Sequence, residues 1–301
     1  MPSPGTVDFI IHGPPGSAPP VLAEAFAAGV REVGADDRDW RFLPKGDDPG
    51  VDSMNLMVTR AGAADVISTC TPVFIQAPLL RGMALTHRDL TPIARLVADR
   101  FFLVCRADAP WTDGAAFLRD IATRTTRTGG YFLGGINHLL ALAIAEGAGA
   151  DVEFIVVPSE PAVWTGLIEG TLDWGCGVAA EILPHVEAGP LRGLAALAEE
   201  RQPAFPDVPT LGEAGLAVTF QLWRGLMAPP GVPPETQAHW HAIIEKVRGS
   251  TAWADYLARN GQTDAYLPGQ DFRDFLDREW EWYRTNLGLA RLLPGTEQQP
   301  A

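Results

Sequence analysis

Positive charge is scarce in this sequence. Its 301 residues contain 23 Lys and Arg against 37 Asp and Glu, a formal net charge of −14. A field of that sign repels the phosphate backbone of nucleic acids and anionic lipid surfaces. We therefore expect no nucleic-acid partner. The same field opposes anionic small molecules, so a carboxylate site here has to be built locally, from backbone dipoles or a few cations.

Long apolar runs are also missing. No run reaches the roughly 18 to 20 residues that span a bilayer, and the opening sequence MPSPGTVDFI does not have the charged, apolar and small-residue regions of a signal peptide. The composition alone leaves two interpretations open. The protein is either cytoplasmic, or its leader is absent from this sequence.

Cysteines and catalytic motifs are few. Cys70, Cys105 and Cys176 have no metal-ligand spacing, and their odd number leaves at least one thiol free or paired with another chain. We expect buried, inert thiols. There is no HExxH, GxSxG or Cys-x-x-Cys motif, and the six histidines are dispersed. The sequence therefore predicts no metal site and no cofactor, and it contains no recognisable catalytic motif.

What the chain does have is a recurring unit of strand, loop and helix. Residues 7–12 form a predicted strand before a GPPGSAPP turn and a helix over 21–33. The same order of predicted elements recurs at 65–70 and 71–80, at 128–130 and 137–146, and at 172–177 and 178–186. Strands that alternate with helices of this length indicate the α/β class, with parallel or mixed sheets covered by helices.

The segment 207–233, DVPTLGEAGLAVTFQLWRGLMAPPGVP, carries the strongest pattern. Thr210 suits the N-cap of a short helix that contains Glu213 and ends at Gly215. Residues 218–227 suit a buried strand, and a Pro-rich exit precedes a helix over 235–247. In this joint order the segment resembles the hallmark of the Bug receptors, the extracytoplasmic solute-binding proteins of tripartite tricarboxylate transporters (TctC-like proteins).

That resemblance, which covers nearly the whole chain, implies a two-lobed periplasmic-binding-protein-like fold. Lobe one would comprise residues 1–101 and 226–301, and lobe two residues 102–225, with hinge strands over 91–106 and around Trp223. It further implies a monomeric receptor without enzymatic activity, which captures a small carboxylate in a cleft between the lobes. Its partners would be the membrane subunits of the transporter. Because the resemblance begins near residue 7, we expect a periplasmic protein whose native leader has been replaced by Met1.

The first candidate binding loop lies between the first strand and helix. Amide N–H groups and the positive end of a helix dipole meet there, which favours an anion. The Bug receptors have a PPGG-type loop at this position that binds a ligand carboxylate, and the resemblance assigns this role to Pro15, Gly16, Ser17 and Ala18. Pro20 stands where the family usually has Asp. The alternative interpretation of the PPG sequence is a rigid turn.

The second candidate loop, over residues 129–138, again follows a strand and opens a helix. The family has a GSxGxGSxxH-like run here, which assigns ligand contacts to a set of residues in this loop: Gly130, Tyr131, Phe132, Gly134, Asn137 and His138. Tyr131, Phe132 and Leu133 add apolar bulk and favour a carboxylate with an apolar or aromatic body. The glycines match neither Rossmann nor Walker spacing. His138 is alternatively a satisfied structural residue.

Hydroxyl side chains extend the candidate site in both predicted lobes. Ser68, Thr69 and Thr71 follow a predicted strand, and such hydroxyls also serve as helix caps. Ser159 lies in a loop where relatives are about two residues longer. Glu160 stands there in place of a common Lys, so a ligand that bears an amine or amide is the alternative ligand class if Glu160 faces the cleft.

The resemblance assigns three further candidate ligand-binding residues by their positions in the family. Gly177 stands where many relatives have Asp, and Trp223 and Arg224 lie on the returning hinge strand. Arg224 suits either a bidentate clamp on a carboxylate or a pair with an acidic surface residue.

Two other function classes remain open on the residues alone. A cytoplasmic α/β enzyme acting on a small organic acid is the runner-up, and turnover of such an acid would support it. A purely structural interaction module is the third class, although it has no use for two anion-binding loops.

Overall fold

The computed structural model describes residues 5–13, 17–45, 48, 50–203, 205–260 and 262–295, with the backbone alone for Glu160. The α/β class is confirmed: strands and helices alternate through most of the described residues, except that β8 is followed by β9 and α8 by α9. In chain order they are β1 Thr6–His12, α1 Ala18–Glu32, β2 Asp39–Lys45, α2 Val51–Val58, β3 Val66–Cys70, α3 Val73–Arg81, β4 Thr91–Arg106, α4 Gly114–Ile121, β5 Thr126–Gly130, α5 Ile136–Ala148, β6 Val152–Val156, α6 Glu160–Glu169, β7 Trp174–Val178, α7 Ala179–Glu187, β8 Leu191–Ala196, β9 Gln221–Ala228, α8 Pro234–Arg248, α9 Thr251–Asn260, β10 Thr263–Pro268 and α10 Gly269–Leu289.

The chain divides into two compact units. Unit 1 runs up to Ala98 and resumes over Trp223–Arg284 and Leu293–Gly295, and unit 2 takes Asp99–Leu222 and Thr285–Leu292. The chain passes from unit 1 to unit 2 inside β4 and returns inside β9; it crosses again inside α10, after Arg284, and returns after Leu292. The lobe boundaries expected from the sequence lie three residues beyond the crossings in β4 and β9, and the assignment of lobes stays a prediction.

Unit 1 is built on a mixed sheet. Its strands lie in the order β10-β4-β9-β3-β1-β2, where β1 is parallel to β2 and to β3, and β9 is antiparallel to β3. Helices α1, α8 and α9 pack on it through a core of apolar residues that includes Phe9, Phe26, Trp240 and Trp253. This topology places the carboxyl ends of β1 and β3 side by side.

Unit 2 has two smaller groups of strands. The second half of β4 pairs antiparallel with β7 and β8, and β5 pairs parallel with β6. Phe102, Trp164, Leu167 and Ile182 belong to its core. The backbone N–H of Val157 donates to the carbonyl of Gly130 at 3.0 Å, so the loops that leave β5 and β6 run side by side.

The segment 207–215 differs from its prediction as a short helix. Residues 211–215 form turns. Thr210 accepts a hydrogen bond from the N–H of Glu213 at 3.0 Å, and the Glu213 carboxylate accepts one from the N–H of Thr210 at 2.6 Å. The reciprocal pair of hydrogen bonds that is expected at a helix start therefore closes a turn here. Backbone hydrogen bonds join this turn to Ala196 at the end of β8.

Two further observations concern the chain as a whole. Across the described part of the chain, no helix is both long enough and apolar enough to cross a membrane. The prediction of buried thiols is confirmed, since Cys70, Cys105 and Cys176 are free and buried.

Candidate functional site

In unit 1, the candidate site residues gather at the carboxyl ends of β1 and β3. Ligands of open α/β sheets commonly bind at this end of parallel strands. Ser68 and Thr69 lie in β3, and Thr71 follows it. Thr69 and Thr71 contact His12, the last residue of β1, which sequence reasoning missed. The available signal was its place between a buried strand and a Gly-Pro loop.

The His12 ring is held by three hydrogen-bond contacts. Its Nδ1 lies 3.1 Å from the carbonyl oxygen of Thr69 and 3.0 Å from the Thr69 hydroxyl, and its Nε2 lies 2.9 Å from the Thr71 hydroxyl. The ring also packs edge-on against Phe74, with 5.2 Å between ring centroids. These contacts fix the orientation of the imidazole.

The protonation state of His12 follows from its surroundings. Burial lowers the pKa of His12 to about 4, against the opposing effect of the Thr69 backbone contact, so the ring is neutral near pH 7. A carbonyl oxygen only accepts hydrogen bonds, whereas the Thr69 hydroxyl beside it donates or accepts, so we assign the proton to Nδ1, facing both Thr69 oxygens. Nε2 is then an acceptor, and the hydroxyl of Thr71 donates to it.

Two of the three hydroxyl residues in this cluster are interior. Ser68 donates to the carbonyl of Thr69 at 2.9 Å, and both residues are buried. Thr71 is partly exposed. Thr71 is thus the most accessible of the three residues, and ligand contact by all three stays a prediction.

The N-terminus of α1 offers fewer amide donors than expected. Ser17 occupies the N-cap without a side-chain cap bond, and Ala18 begins the helix. The next two residues are Pro19 and Pro20, which carry no N–H. Ala18 therefore supplies the one N–H of the first three helical positions. Pro15 and Gly16, also assigned to this loop, lie outside the described residues.

In unit 2, the N-terminus of α5 keeps its donors. Gly135 is the N-cap, and Ile136, Asn137 and His138 form a first turn without acidic side chains. The first N–H groups of a helix have no partner within it, and they carry the positive end of its dipole. The start of α5 is therefore suited to an anion.

His138 fixes the loop before α5. Gly134 adopts a φ of +83°, a conformation that favours glycine, and its N–H donates to His138 Nδ1 at 2.9 Å. Burial lowers the pKa of His138, and the neutral ring then carries its proton on Nε2. His138 thus accepts a structural hydrogen bond at Nδ1 and presents an N–H donor at Nε2.

Gly130 is needed for packing at the end of β5. A Cβ built there would stand 2.7 Å from the Cβ of Asn137 and 2.9 Å from the ring of Phe154. Asn137 is buried and interacts within the fold. Both residues hold α5 against β5, and their contact with ligand stays a prediction.

Three large apolar side chains stand out beside the start of α5. Tyr131, Phe132 and Leu133 are 52%, 50% and 56% exposed. The rings of Tyr131 and Phe132 meet edge to face at 5.6 Å, and Phe132 lies over Gly135. This apolar surface adjoins the first amides of α5, and its role in ligand selection stays a prediction.

Ser159 and Gly177 belong to the other loops and strands of unit 2. Ser159 is exposed at the N-cap of α6, without a side-chain cap bond; the Glu160 side chain lies outside the described residues. At Gly177 a Cβ would stand 2.3 Å from the ring of Trp164. Trp164 therefore occupies the space that a side chain at position 177 would need.

The two candidate residues on β9 are both buried. The indole N–H of Trp223 donates to Glu279 at 2.9 Å, and its ring packs against Phe272 and Phe275. This favours a packing role, and ligand contact by Trp223 stays a prediction. Arg224 precedes the residue that pairs with Cys70, so it lies near the end of β3, where it already takes part in an interaction.

We find no group of metal ligands in the part of the chain that the structure describes. No three His, Cys, Asp or Glu side chains come together there as ligands. The chemistry that these residues offer is hydrogen bonding to a small polar solute.

Comparison with known proteins gives a family match. The family model described as "Tripartite tricarboxylate transporter family receptor" matches residues 53–284. A UPF0065 protein of Bordetella bronchiseptica is 27% identical over 159 residues, 53% of this chain and 48% of that protein. BugT of Bordetella pertussis is 28% identical over 148 residues, 49% of this chain and 45% of that protein. The chain thus spans about half the length of these curated relatives.

Solved structures agree in fold. A TctC solute-binding protein from Polaromonas has a TM-score of 0.89 and 26% identity, over 95% of this chain and 99% of that one. MatC of Rhodopseudomonas palustris with bound malate has a TM-score of 0.68 and 20% identity, over 95% and 100% of the two chains. An R. palustris protein with adipate has a TM-score of 0.72 and 20% identity, over 96% and 98%. The last two likenesses concern the fold alone.

Proposed function

The chain belongs to the family of tripartite tricarboxylate transporter receptors, and from that premise we propose that it captures a small carboxylate-containing solute in the periplasm and presents it to the membrane subunits of such a transporter. The family and the fold are those of solute-binding receptors, not of enzymes. The proposal therefore replaces the cytoplasmic enzyme considered from the sequence.

The observation that carries the proposal is the start of α5. Its first turn presents amide N–H groups without an acidic side chain, and His138 holds the preceding loop through Gly134. A carboxylate bound there gains charge-assisted hydrogen bonds and the favourable end of the helix dipole. The carboxylates malate and adipate in two proteins of the same fold support this ligand class.

Adjacent apolar surface supports a preference within that class. Residues 131–133 offer two aromatic rings and a leucine next to the amides. A ligand body that covers apolar surface gains about 25 cal/mol per Å². We propose a compact carboxylate with an apolar or aromatic body.

A proline at the first helical position tests the carboxylate site. Proline is tolerated at this position because its N–H is not used by the helix. The preceding residue Gly135 has φ −69° and ψ 168°, a conformation that suits the residue before proline. Ile136→Pro therefore removes one amide donor and keeps α5.

The measurement is calorimetric titration with an acid that stabilises the protein in a thermal-shift screen, and with its methyl ester. We expect Ile136→Pro to weaken binding of the acid by about 1.5–3 kcal/mol, the contribution of one charge-assisted hydrogen bond. Ile136→Ala is the matched control, because it shortens the same side chain and keeps the N–H. Equal affinity of acid and ester in the native protein, or equal losses in both variants, would overturn the assignment.

A further inference from the structure

The Thr71 hydroxyl has its proton committed before any solute arrives. His12 is buried, and its Nδ1 lies 3.1 Å from the Thr69 carbonyl oxygen and 3.0 Å from the Thr69 hydroxyl. The hydroxyl suits either tautomer, but an unprotonated Nδ1 would set its lone pair against the carbonyl oxygen, so we assign the proton to Nδ1. Nε2 therefore has a lone pair, and at 2.9 Å it takes the hydroxyl proton of Thr71.

This arrangement fixes the direction of any further hydrogen bond at Thr71. A hydroxyl has one proton and two lone pairs. Thr71 is partly exposed, and with its proton given to His12 its oxygen has only lone pairs left to offer. It repels another acceptor, such as a carboxylate or ether oxygen, and it binds a donor.

We propose that Thr71 is a donor-selective contact for the solute, which therefore carries a hydroxyl, ammonium or amide group in addition to its carboxylate. This rests on the proposed function and narrows its ligand class. His12 is a positioning residue, since it sets the polarity of Thr71 and has no need to touch the solute. Edge-on packing of Phe74 against the imidazole keeps that geometry in place.

Two carbon skeletons and four substituents test the inference. The first series is succinate, malate, aspartate and 2-methoxysuccinate. The second is 3-phenylpropanoate, 3-phenyllactate, phenylalanine and 2-methoxy-3-phenylpropanoate. Within whichever series binds by titration calorimetry, we expect the hydroxy or amino acid to bind roughly tenfold more tightly than the methoxy acid.

Variants separate hydrogen-bond polarity from steric fit. Thr71→Val should reduce that tenfold ratio to about two, while Thr71→Ser, which keeps the hydroxyl, should preserve it. His12→Phe retains an aromatic ring against Phe74 but removes the acceptor. The Thr71 hydroxyl is then able to donate its proton to the solute, and the affinity for the methoxy acid should rise relative to that for the hydroxy acid.

The outcomes distinguish the inference from the proposed function. If acids bind but the ratio is the same in the native protein and in Thr71→Val, the donor-selective contact is wrong and the receptor proposal stands. If no acid in either series binds, the carboxylate-receptor proposal and this inference fail together.

Discussion

At the scale of single residues, Gly177 and Trp164 depend on each other. A Cβ at position 177 would come within 2.6 Å of two atoms of the Trp164 ring, and within 3.1 Å of Ile182. Such contacts are closer than any side chain accommodates without displacement. The indole thus fills the space that a side chain at position 177 would need.

We expect Gly177→Ala to reduce the free energy of unfolding by about 1–3 kcal/mol, because it overpacks the core of unit 2. Gly212→Ala is the control, since the nearest atom to a Cβ at that position lies at an ordinary 3.5 Å. Urea unfolding measures both. In a Trp164→Leu background the cost of Gly177→Ala should largely disappear; an undiminished cost would contradict the steric explanation.

Buried histidines make stability depend on pH. Burial is the main cause that lowers the pKa of His12 and of His87 to about 4, and at His87 the charge of Arg88 adds to it. Between pH 6.5 and about 4 the unfolded chain binds protons at these rings that the native protein does not. The free energy of unfolding therefore falls as the pH falls through this window.

The expected loss is roughly 3 kcal/mol for each ring by pH 4, from about 1.4 kcal/mol per pH unit. Urea unfolding at pH 7, 6, 5 and 4 measures it. His12→Phe should be less stable at pH 7 but should show a shallower decline toward pH 4. A decline as steep as in the native protein would show that His12 is not one of the groups responsible.

At the scale of elements, the strand-loop-helix units were predictable because their burial follows simple periods. Strand β1 at Thr6–His12 and helix α5 at Ile136–Ala148 lie within a few residues of the expected positions. Strand β2, Asp39–Lys45, was not predicted. Its first four residues alternate between exposed charged and partly buried aromatic side chains, but the alternation breaks at Leu43 and is too short to mark a strand.

The candidate site was predictable only in part, because hydrogen-bond direction is a tertiary property. The Gly-rich loop before α5 and the hydroxyls at the carboxyl end of β3 could be found from their order in the sequence. The role of His12 could not, since it depends on the pairing of β1 with β3, which brings residues 57 positions apart into contact. The sequence pattern also led us to expect more backbone N–H donors at the start of α1 than it has, because Pro19 and Pro20 carry no N–H.

The turn at Thr210 gives a prediction for an element. Its hydroxyl accepts from the N–H of Glu213, so Thr210→Ala leaves that N–H without its cap. We expect a loss of about 1 kcal/mol in the free energy of unfolding, as for a helix N-cap. Thr210→Ser keeps the oxygen and should cost clearly less. Equal losses in the two variants would show that packing of the threonine methyl, not the hydrogen bond, holds the turn.

At the scale of the whole molecule, net charge and local site act in opposite directions. The charge of −14 repels an approaching carboxylate, whereas the start of α5 attracts it at short range. Repulsion between separated charges is screened by salt, with a Debye length of about 30 Å at 0.01 M and about 8 Å at 0.15 M. Contacts made inside a partly buried site are screened much less.

Salt should therefore change the association rate of an anionic solute more than its dissociation rate. By stopped-flow fluorescence of the tryptophans, we expect the association rate constant of a dicarboxylate to rise several-fold between 0.01 and 0.15 M NaCl. Phenylalanine, an amino acid without net charge near pH 7, should associate at a rate that is nearly independent of salt and serves as the control. If the dicarboxylate instead associates more slowly as salt increases, attraction by cations near the site, such as Arg224, outweighs the net charge at long range, and the explanation from whole-molecule repulsion is wrong.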